Sequence, residues 1–528
     1  MKVVTTRNRF EADAEELAAV LAPRDDLLVE AAEDDGTDAG AVEPAVHRYR
    51  CESGPFDAWE RTVTVRPGVD GAPAVVEEEI RWALAIPLWG GLFRPVVARQ
   101  LRRDRPPDPA SPEVPAPWWS PPDRLDARAS AVLSRLCGLS MLAGYLGTTI
   151  TQTMSFAGDE FGASTGAQGT TLSAVRVGIL LSLALMAAAD RRGRKRLLTI
   201  CAAGGALASA AGALSPNLWV LGGTQTIARA FSTALALLIA VVAAEEMPAG
   251  GRAYAASVIS MTAALGAGLA VALLPVADQA PWAWRIIYVV PVLGLGFFLR
   301  VADLLPESRR FLRPHGRVGM KGHRGRLALL AAAGFFGLLF LAPVAQLQNE
   351  FLRDEHGFEA WKLTIFTFAT STPAGIGIVV GGRLADVHGR RIVGAVGTLG
   401  GALALTIGYQ SSGAGLWVAW LVGTVLAAMT VPALGVYGPE LFPTALRGRA
   451  NGLITLAGVI GSSTGLVIAG RLADRWDAIG PAIARLGIGP VIVALLVLTL
   501  YPETAHLELE ELNPEDAPGA LGISPPGL

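Results

Sequence analysis

The feature that most constrains this chain is a series of long apolar segments that starts near residue 130 and continues to residue 501. Each segment is roughly twenty residues long, the length that an α-helix needs to cross a ~30 Å hydrocarbon layer. We therefore predict twelve membrane-spanning helices. Their expected ranges are 130–157, 167–188, 196–214, 217–244, 253–276, 284–305, 326–348, 360–384, 391–410, 414–438, 449–472 and 481–501.

The composition excludes a soluble globule of this size. Only 17% of the 528 residues are charged and 52% are hydrophobic, with a mean hydropathy of +0.43, whereas soluble domains carry about a quarter charged residues. The three cysteines are isolated singles that indicate neither a disulfide framework nor a zinc site. No nucleotide-binding loop, metal cluster or nucleophile constellation is visible, so we predict no enzymatic activity, no cofactor, no metal and no nucleic-acid partner.

The basic residues predict the orientation in the membrane. They concentrate in the second-to-third connection, from Arg191 to Arg196, and in the central connection, from Arg309 to Arg326, while the loops at 215–217 and 411–415 hold none. Lys and Arg next to a membrane segment are retained on the cytoplasmic side. No cleavable signal peptide is evident at the start. We therefore expect a multi-pass protein of the plasma (inner) membrane with both termini in the cytoplasm.

An internal repeat organises the membrane region. Four motifs recur at a spacing of 195 or 196 residues: Gln152 and Gln348, Asp190 and Asp386, Glu245 and Glu440, and Pro306 and Pro502. A six-helix half returns the chain to the side where it began, so both copies of each loop lie on one face of the membrane. The sequence thus predicts an all-α membrane protein of two pseudo-symmetric six-helix bundles, related by an axis along the membrane normal.

The same pattern predicts the domain boundaries. We expect a cytoplasmic N-terminal α+β region at 1–105, a Pro-rich linker at 106–129, a six-helix bundle at 130–305, a central cytoplasmic loop at 306–325, a second bundle at 326–501 and a cytoplasmic tail at 502–528.

One loop carries a family resemblance. The run from Gly382 to Arg391, GRLADVHGRR, resembles the loop between helices two and three that marks the major facilitator superfamily. In this reading Gly382 permits close helix approach, Asp386 faces a helix N-terminus and Gly389 allows a tight turn. The first copy keeps the charged part, from Asp190 to Lys195, but has Met186 at the first glycine position.

Three further loops resemble the sugar-porter-like branch of that superfamily. They are Glu440 to Gly448 before the eleventh span, Pro306 to Leu312 after the sixth, and Pro502 to Thr504 after the twelfth. The resemblance covers residues 130 to 510 and is more specific for the fold than for the substrate. It implies transport by alternating access.

The repeated loops also suggest an inner gate. We hypothesise that ion pairs between the two halves close the cytoplasmic end and break when the cavity opens inward, because a two-state transporter needs a bistable contact. The residues assigned to this gate and switch are Asp190, Gly193, Arg194, Glu245, Arg252, Glu307, Gly382, Asp386, Gly389, Arg390, Glu440, Arg447 and Glu503.

Two cations within the predicted spans are candidates for binding substrate, Arg176 in the second and Arg229 in the fourth. Buried charge in a membrane bundle is expensive and indicates a functional site. No intramembrane carboxylate is evident to neutralise them, so one reading is contact with an anionic substrate. The alternative is pairing with loop acids, backbone carbonyls or water. The polar candidates beside them are Gln152, Gln225, Gln348, Asn349 and Thr430, some of which would instead join helices.

The run from Gly470 to Arg475 imitates the signature loop but lies at the outer end of the eleventh span and lacks the second glycine. We assign it no signature role. The first span lacks the embedded Asp or Glu that proton-coupled relatives often use, which leaves coupling to a proton or another ion open.

The N-terminal region reads as a hairpin followed by a helix. Residues 60–65 and 75–82 have strand-like composition on either side of a Pro/Gly turn. The helix expected at 89–103 carries an apolar face with arginines around it, which suits either the anionic inner leaflet or packing against the hairpin. The Pro-rich run 106–122, with two tryptophans, suits a stiff linker at the membrane interface.

From these observations we predict a secondary active transporter for a small polar or anionic metabolite, similar to a sugar or an organic acid. A drug or lipid efflux transporter is the alternative, and a non-transporting sensor is a third reading. The expected partners are the small-molecule substrate, a coupled ion and membrane lipids, and we expect a monomer.

Overall fold

A computed structural model describes residues 3–33, 44–68, 72–102, 120, 124–248, 251–307, 321–435, 437–442 and 444–503. The Pro-rich run 106–122, apart from residue 120, most of the central loop and most of the C-terminal tail lie outside these residues. Two parts follow one another along the chain: a small α+β extension and a large helical region.

The extension is a five-stranded antiparallel sheet with two helices. Its strands lie in the order β1-β5-β4-β3-β2. The elements are β1 (Val4–Ala12), α1 (Ala14–Leu21), β2 (Val29–Glu33), β3 (Ala45–Ser53), β4 (Phe56–Arg66), β5 (Ala74–Leu84) and α2 (Gly90–Leu101).

The predicted hairpin is confirmed as β4 and β5, which pair antiparallel with Val65 opposite Val76. Helix α2 packs on the extension's own sheet, because its Val97 and Leu101 are buried in one cluster with Ile80. Of the two readings left open for this helix, packing against the hairpin is therefore the one the structure bears out.

The first helical half follows the linker. Its helices are α3 (Ala127–Phe161), α4 (Thr165–Arg192), α5 (Arg194–Gly212), α6 (Leu218–Glu246), α7 (Arg252–Ala272), α8 (Trp284–Leu293) and α9 (Leu295–Asp303). A 3₁₀ turn, Leu274–Gln279, extends α7. Gly294 separates α8 from α9, so these two helices together make one membrane segment.

The second half repeats this pattern with more interruptions. Its helices are α10 (Arg324–Gln346), α11 (Gln348–Asp354), α12 (Ala360–Ser371), α13 (Ala374–His388), α14 (Arg390–Gly408), α15 (Gly413–Ala428), α16 (Thr430–Leu434), α17 (Tyr437–Glu440), α18 (Thr444–Trp476), α19 (Ile479–Leu486) and α20 (Ile488–Leu500). The break between α12 and α13 falls at Pro373, since proline removes a backbone donor and clashes with the preceding turn.

Among the described residues, eleven helical segments are long and apolar enough to cross a membrane. They correspond to eleven of the twelve predicted spans. The remaining prediction, the third span, is α5, which is less apolar because it opens with Arg194, Lys195 and Arg196 and is otherwise rich in glycine and alanine. It still packs within the first half, where its Leu197, Leu198 and Cys201 are buried.

The extension lies against the start of the first half. The backbone N–H of Leu88 donates to Ser134 Oγ on α3 at 3.1 Å, and Trp89 Nε1 donates to the Ser134 carbonyl at 3.2 Å. Arg124, just before α3, forms an ion pair with Asp25 of the extension at 2.6 Å. These contacts fix where the extension sits relative to α3.

Candidate functional site

The two signature loops share one geometry. Gly193 and Gly389 each have a φ of 91°, a conformation that side-chain-bearing residues rarely adopt. The N–H of Arg194 donates to Glu307 Oε1 at 2.8 Å, and the N–H of Arg390 donates to Glu503 Oε1 at 3.0 Å. The predicted tight turn at Gly389 is confirmed, and the repeat reproduces it in the first half.

We call this arrangement the glutamate clasp: Glu307 on the Gly193 turn and Glu503 on the Gly389 turn. Each carboxylate satisfies N–H groups at the start of a helix, where four donors lack intrahelical partners and negative charge is favoured. Each clasp joins the start of the third helical segment of a half to the chain just after its sixth. Each clasp therefore lies within its own half of the protein.

The structure describes an ion pair between two of the predicted inner-gate residues. Arg194 forms an ion pair with Glu245 of α6, and both side chains are largely buried. Lys195 pairs with Asp303 at 3.3 Å. Both described pairs therefore lie within the first half, and ion pairing between the halves at this end stays a prediction. The side chains of Asp190, Arg252, Asp386, Glu440 and Arg447 lie outside the described residues.

Close helix approach in the second copy occurs at Gly381 and Gly377, one and five residues before the predicted position. A Cβ at Gly382 would meet only ordinary contacts with Pro432, beginning at 3.6 Å. A Cβ at Gly381 would lie 2.6 Å from Met429 Cα, and one at Gly377 would lie 2.1 Å from the Val425 carbonyl oxygen. The assignment of close packing to Gly382 was wrong, because the helix rotation that decides which glycine faces α15 is not visible in the sequence.

Most hydrogen bonds and ion pairs between the halves, where the structure describes them, lie toward the end away from the clasps. We call this the sealed end: the end of α3, the start of α4, α11, and the end of α18. Arg353 forms an ion pair with Asp159 there, and its guanidinium lies 3.8 Å from the ring centre of Phe156. Asn349 Nδ2 donates to the carbonyl and the Oε1 of Gln152, at 2.9 and 3.0 Å.

Glu350 is a buried carboxylate at the sealed end that the sequence reading missed. It lies on α11, beyond the membrane-spanning part of α10, with 5% of its surface exposed. Gln168 Nε2 and Thr165 Oγ1 of α4 donate to its Oε1 at 2.6 and 3.2 Å. Burial, with a further contribution from the nearby charge of Asp354, raises the pKa of Glu350 to about 8.

Asp474, in the run from Gly470 to Arg475 that is similar to the signature loop, forms hydrogen bonds at the sealed end. Its Oδ1 accepts from the N–H of Gly166 at 2.8 Å, and Ser164 Oγ donates to its Oδ2 at 3.1 Å. The carboxylate of α18 thus caps the N-terminus of α4 in the other half. This contact could not be predicted from the sequence, because Gly166 and Asp474 are 308 positions apart.

Between the sealed end and the clasps, Arg176 of α4 joins the halves. With its carbonyl oxygen turned toward the guanidinium, Gln346 of α10 accepts hydrogen bonds from Arg176 Nε at 2.9 Å and from Nη2. Gln346 is 8% exposed. One predicted substrate candidate therefore has a neutral amide partner from the opposite half.

Arg229 of α6 extends the positive charge at this level. Its Nη1 donates to the Gly147 carbonyl of α3 at 2.5 Å, while its buried Nε has no hydrogen-bond partner among the described residues. Arg229 packs against α4, the helix that carries Arg176, because a Cβ at Gly178 of α4 would lie 2.8 Å from the Cβ of Arg229. No ion pair is described for either arginine within the described part of the chain.

The other candidates fall into different places. Gln152 and Asn349 meet each other, and Gln348 Nε2 is buried without a partner in the described structure. Gln225, 2% exposed, donates to the Ser209 carbonyl at 3.5 Å within the first half. Thr430 donates to the Ala427 carbonyl at 2.6 Å and lines a cavity inside the second half. The structure therefore does not bring all five together.

The fold and the repeated loops define a class: a multi-pass membrane protein built from two like helical halves, with a charged site between them and an α+β extension in front. Residues 327–523 match the family model of the Major Facilitator Superfamily. This match covers less than half of the chain, so it is the second helical half that resembles this superfamily.

Curated relatives with different cargoes resemble parts of the chain. The Enterobactin exporter EntS of Escherichia coli (strain K12) is 29% identical over 189 residues, which is 34% of this chain and 42% of the exporter. Myo-inositol transporter 1 of Cryptococcus neoformans is 28% identical over 210 residues, 37% of this chain and 35% of the relative. The chain thus spans less than half the length of the curated relatives it matches.

Solved structures match over more of the chain. The inward-open xylose transporter XylE from E. coli has a TM-score of 0.62 at 19% identity, with 73% of this chain and 99% of that one covered. A bacterial homologue of the human lysosomal transporter Spinster, inward-facing and unoccupied, has a TM-score of 0.62 at 15% identity, covering 74% and 98%. These likenesses establish the fold.

Proposed function

We propose that the chain is a secondary active transporter that moves a small anionic or polar metabolite, such as an organic acid or a sugar, across the plasma membrane by alternating access. The observation that carries the proposal is the pair Arg176 and Arg229. Two guanidinium groups lie inside a helical bundle, and the described structure gives them only neutral partners. An anion bound between the two arginines would neutralise buried positive charge that their neutral partners leave uncompensated.

The position of the pair suits this function. Arg176 bonds to the other half through Gln346, so a ligand at this level would contact both halves. In alternating access the halves rock about a site near the membrane midplane. We propose that the sealed end faces outward and the clasps face the cytoplasm, with both termini inside. Support comes from the basic loops beside the clasps and from the described contacts between halves at the sealed end.

A second candidate is efflux of a drug-like or lipid-like compound. It is favoured by the likeness to an enterobactin exporter and by the small number of polar side chains that the described structure brings together beside Arg176. Flux direction separates the two candidates. Uptake of radiolabelled succinate or xylose by intact cells supports the metabolite transporter, whereas energy-dependent extrusion of ethidium supports efflux.

The arginine pair is tested by ligand-dependent thermal stability of the purified full-length protein. Succinate, xylose and ethidium are the probes, because a ligand at 100 times its Kd stabilises the native state by about 2.7 kcal/mol. We expect succinate to raise the Tm of the parent and of Arg176→Lys, and to lose this effect in Arg176→Gln and Arg229→Gln. Exposed Arg485→Gln on α19 is the matched control. Equal stabilisation of all five proteins would contradict an anion site at the pair.

A further inference from the structure

A cavity of about 560 Å³ lies between the extension and the first helical half. This volume is within the ~300–1,000 Å³ range of small-molecule sites. The extension contributes Phe56, Leu84 and α2, and the membrane region contributes one face of α3 and one face of α7. The cavity is separate from the arginine pair, and the proposed transport does not use it.

The lining has a polar end and an apolar end. Arg124 and Ser130 lie at the start of α3, and Tyr254 lies at the start of α7. Deeper along α7 the lining becomes Met261 and Leu265. Tyr254 and Leu265 are eleven positions apart, a rise of about 16 Å along a helix. A ligand that spans this distance would need a polar head and a long apolar chain.

One polar group in the cavity has no partner. Ser130 is 5% exposed, and its Oγ forms no hydrogen bond among the described residues. A buried hydroxyl without a partner costs free energy, since it has lost its hydrogen bonds to water and has not replaced them. Its donor hydrogen would suit the ester carbonyl or carboxylate oxygen of an amphiphile whose head lies at this end.

Exposed apolar side chains surround the apolar end of the cavity. Met261 is 57% exposed and Leu265 52% exposed on α7, and Leu92 is 69% exposed on α2. Large exposed apolar side chains around one opening indicate a ligand or membrane contact. An acyl chain could therefore enter sideways from the bilayer and pass under α2.

We infer that this cavity binds the acyl chain of an amphiphile, with an oxygen of its head group accepting a hydrogen bond from Ser130. The same chemistry is offered by a bilayer phospholipid and by a free fatty acid. Leu88 and Trp89 contact Ser134 on the same face of α3, so the ligand would lie where the extension meets the first half.

Photolabelling of the full-length protein in phosphatidylcholine vesicles tests this inference. The two probes are palmitic acid bearing a diazirine near its chain end and a phosphatidylcholine bearing the same acyl chain. We expect labelled peptides from α2 as well as from α7. Labelling by the phospholipid identifies a bilayer lipid as the ligand, and labelling by the acid alone identifies a free fatty acid. Absence of α2 labelling with both probes overturns the inference.

Two variants separate the cavity from simple contact of α2 with the membrane surface. Val258→Trp fills the cavity, and Leu269→Trp places the same side chain on α7 outside the lining. Excluding only two methylene groups should lower affinity about tenfold, so we expect Val258→Trp to lose α2 labelling by at least that factor while Leu269→Trp keeps it. Ser130→Ala, which leaves the cavity open, should label more weakly than the parent. Unchanged α2 labelling in Val258→Trp would mean that α2 only lies on the membrane.

Discussion

Protonation of Glu350 should control how readily the sealed end opens. In the described state this carboxylate is buried between α4 and α11, where burial and the charge of Asp354 raise its pKa to about 8. The charge of Asp159 acts in the same direction, and Asp354 itself has a raised pKa because of burial and Asp159. When the halves part at this end, Glu350 meets water and its pKa should return toward the ordinary value of about 4.3.

The direction and size follow from linkage. Between these two pKa values Glu350 is protonated in the sealed state and deprotonated in the opened state. The sealed state is therefore favoured at low pH, and its free-energy advantage over the opened state decreases as the pH rises toward 8. Each tenfold difference in proton affinity corresponds to about 1.4 kcal/mol, so the full range is roughly 5 kcal/mol. Even a third of this would change the population of the opened state more than tenfold.

Thiol labelling from the outer side measures this population. Ser173 lies where α4 meets α18, and Ser463 Oγ donates to its carbonyl at 3.4 Å. A Ser173→Cys reporter, with the three natural cysteines replaced, should react slowly with an impermeant maleimide at pH 6. At pH 8.5 the reaction should be at least tenfold faster, after correction for the reagent's own pH dependence.

Two neutral isosteres provide the controls. Glu350→Gln should react slowly at both pH values, because the amide stays neutral at pH 6 and at pH 8.5. Glu355→Gln, at the end of the same helix, should keep the parent's pH response, since Glu355 accepts from the N–H of Ile479 inside its own half. The reasoning is refuted if Glu350→Gln shows the same pH dependence as the parent.

Three other predictions address the extension and the clasps. Arg61→Met should lower the free energy of opening of the extension by about 3–5 kcal/mol, because it removes the buried cation that forms ion pairs with Glu30 and Glu78. Exposed Arg66→Met should cost less than ~1 kcal/mol, and hydrogen exchange of β4 in the full-length protein measures both. Gly389→Ala should cost roughly 1–3 kcal/mol of backbone strain, seen as a lower Tm than that of Gly375→Ala, where a Cβ meets open space; equal Tm values would contradict the strain. Arg194→Glu and Glu245→Arg should each lower transport and their combination should restore part of it; failure of the double variant to exceed both singles would exclude the pair as a functional contact.

The positions of the spans and the repeat could be predicted because they depend on local composition. An apolar run of sufficient length has few alternatives to a membrane helix, and a repeat at a spacing of 196 residues fixes the relation of the halves. The turn at Gly389 could also be predicted, since the backbone there needs a residue without a side chain.

The contacts across the bundle could not be predicted in this way. Arg176 meets Gln346, and Gly166 meets Asp474, through pairings of distant helices that no local pattern encodes. Glu350 was missed because it lies just past the apolar run, where a carboxylate normally faces water. The close approach at Gly381 depends on helix rotation, which a single sequence leaves undetermined.

The glutamate clasps have a consequence for the cost of movement. Each turn is tied to the end of its own half, so a rocking motion between the halves leaves both ties intact. The helices next to the turns can then move as rigid bodies. The free energy of switching between the two states then depends mainly on the few polar contacts at the sealed end. A substitution in a clasp should therefore loosen one half as a body, whereas a substitution at Asp159 or Asp474 should change the balance between states without softening either half.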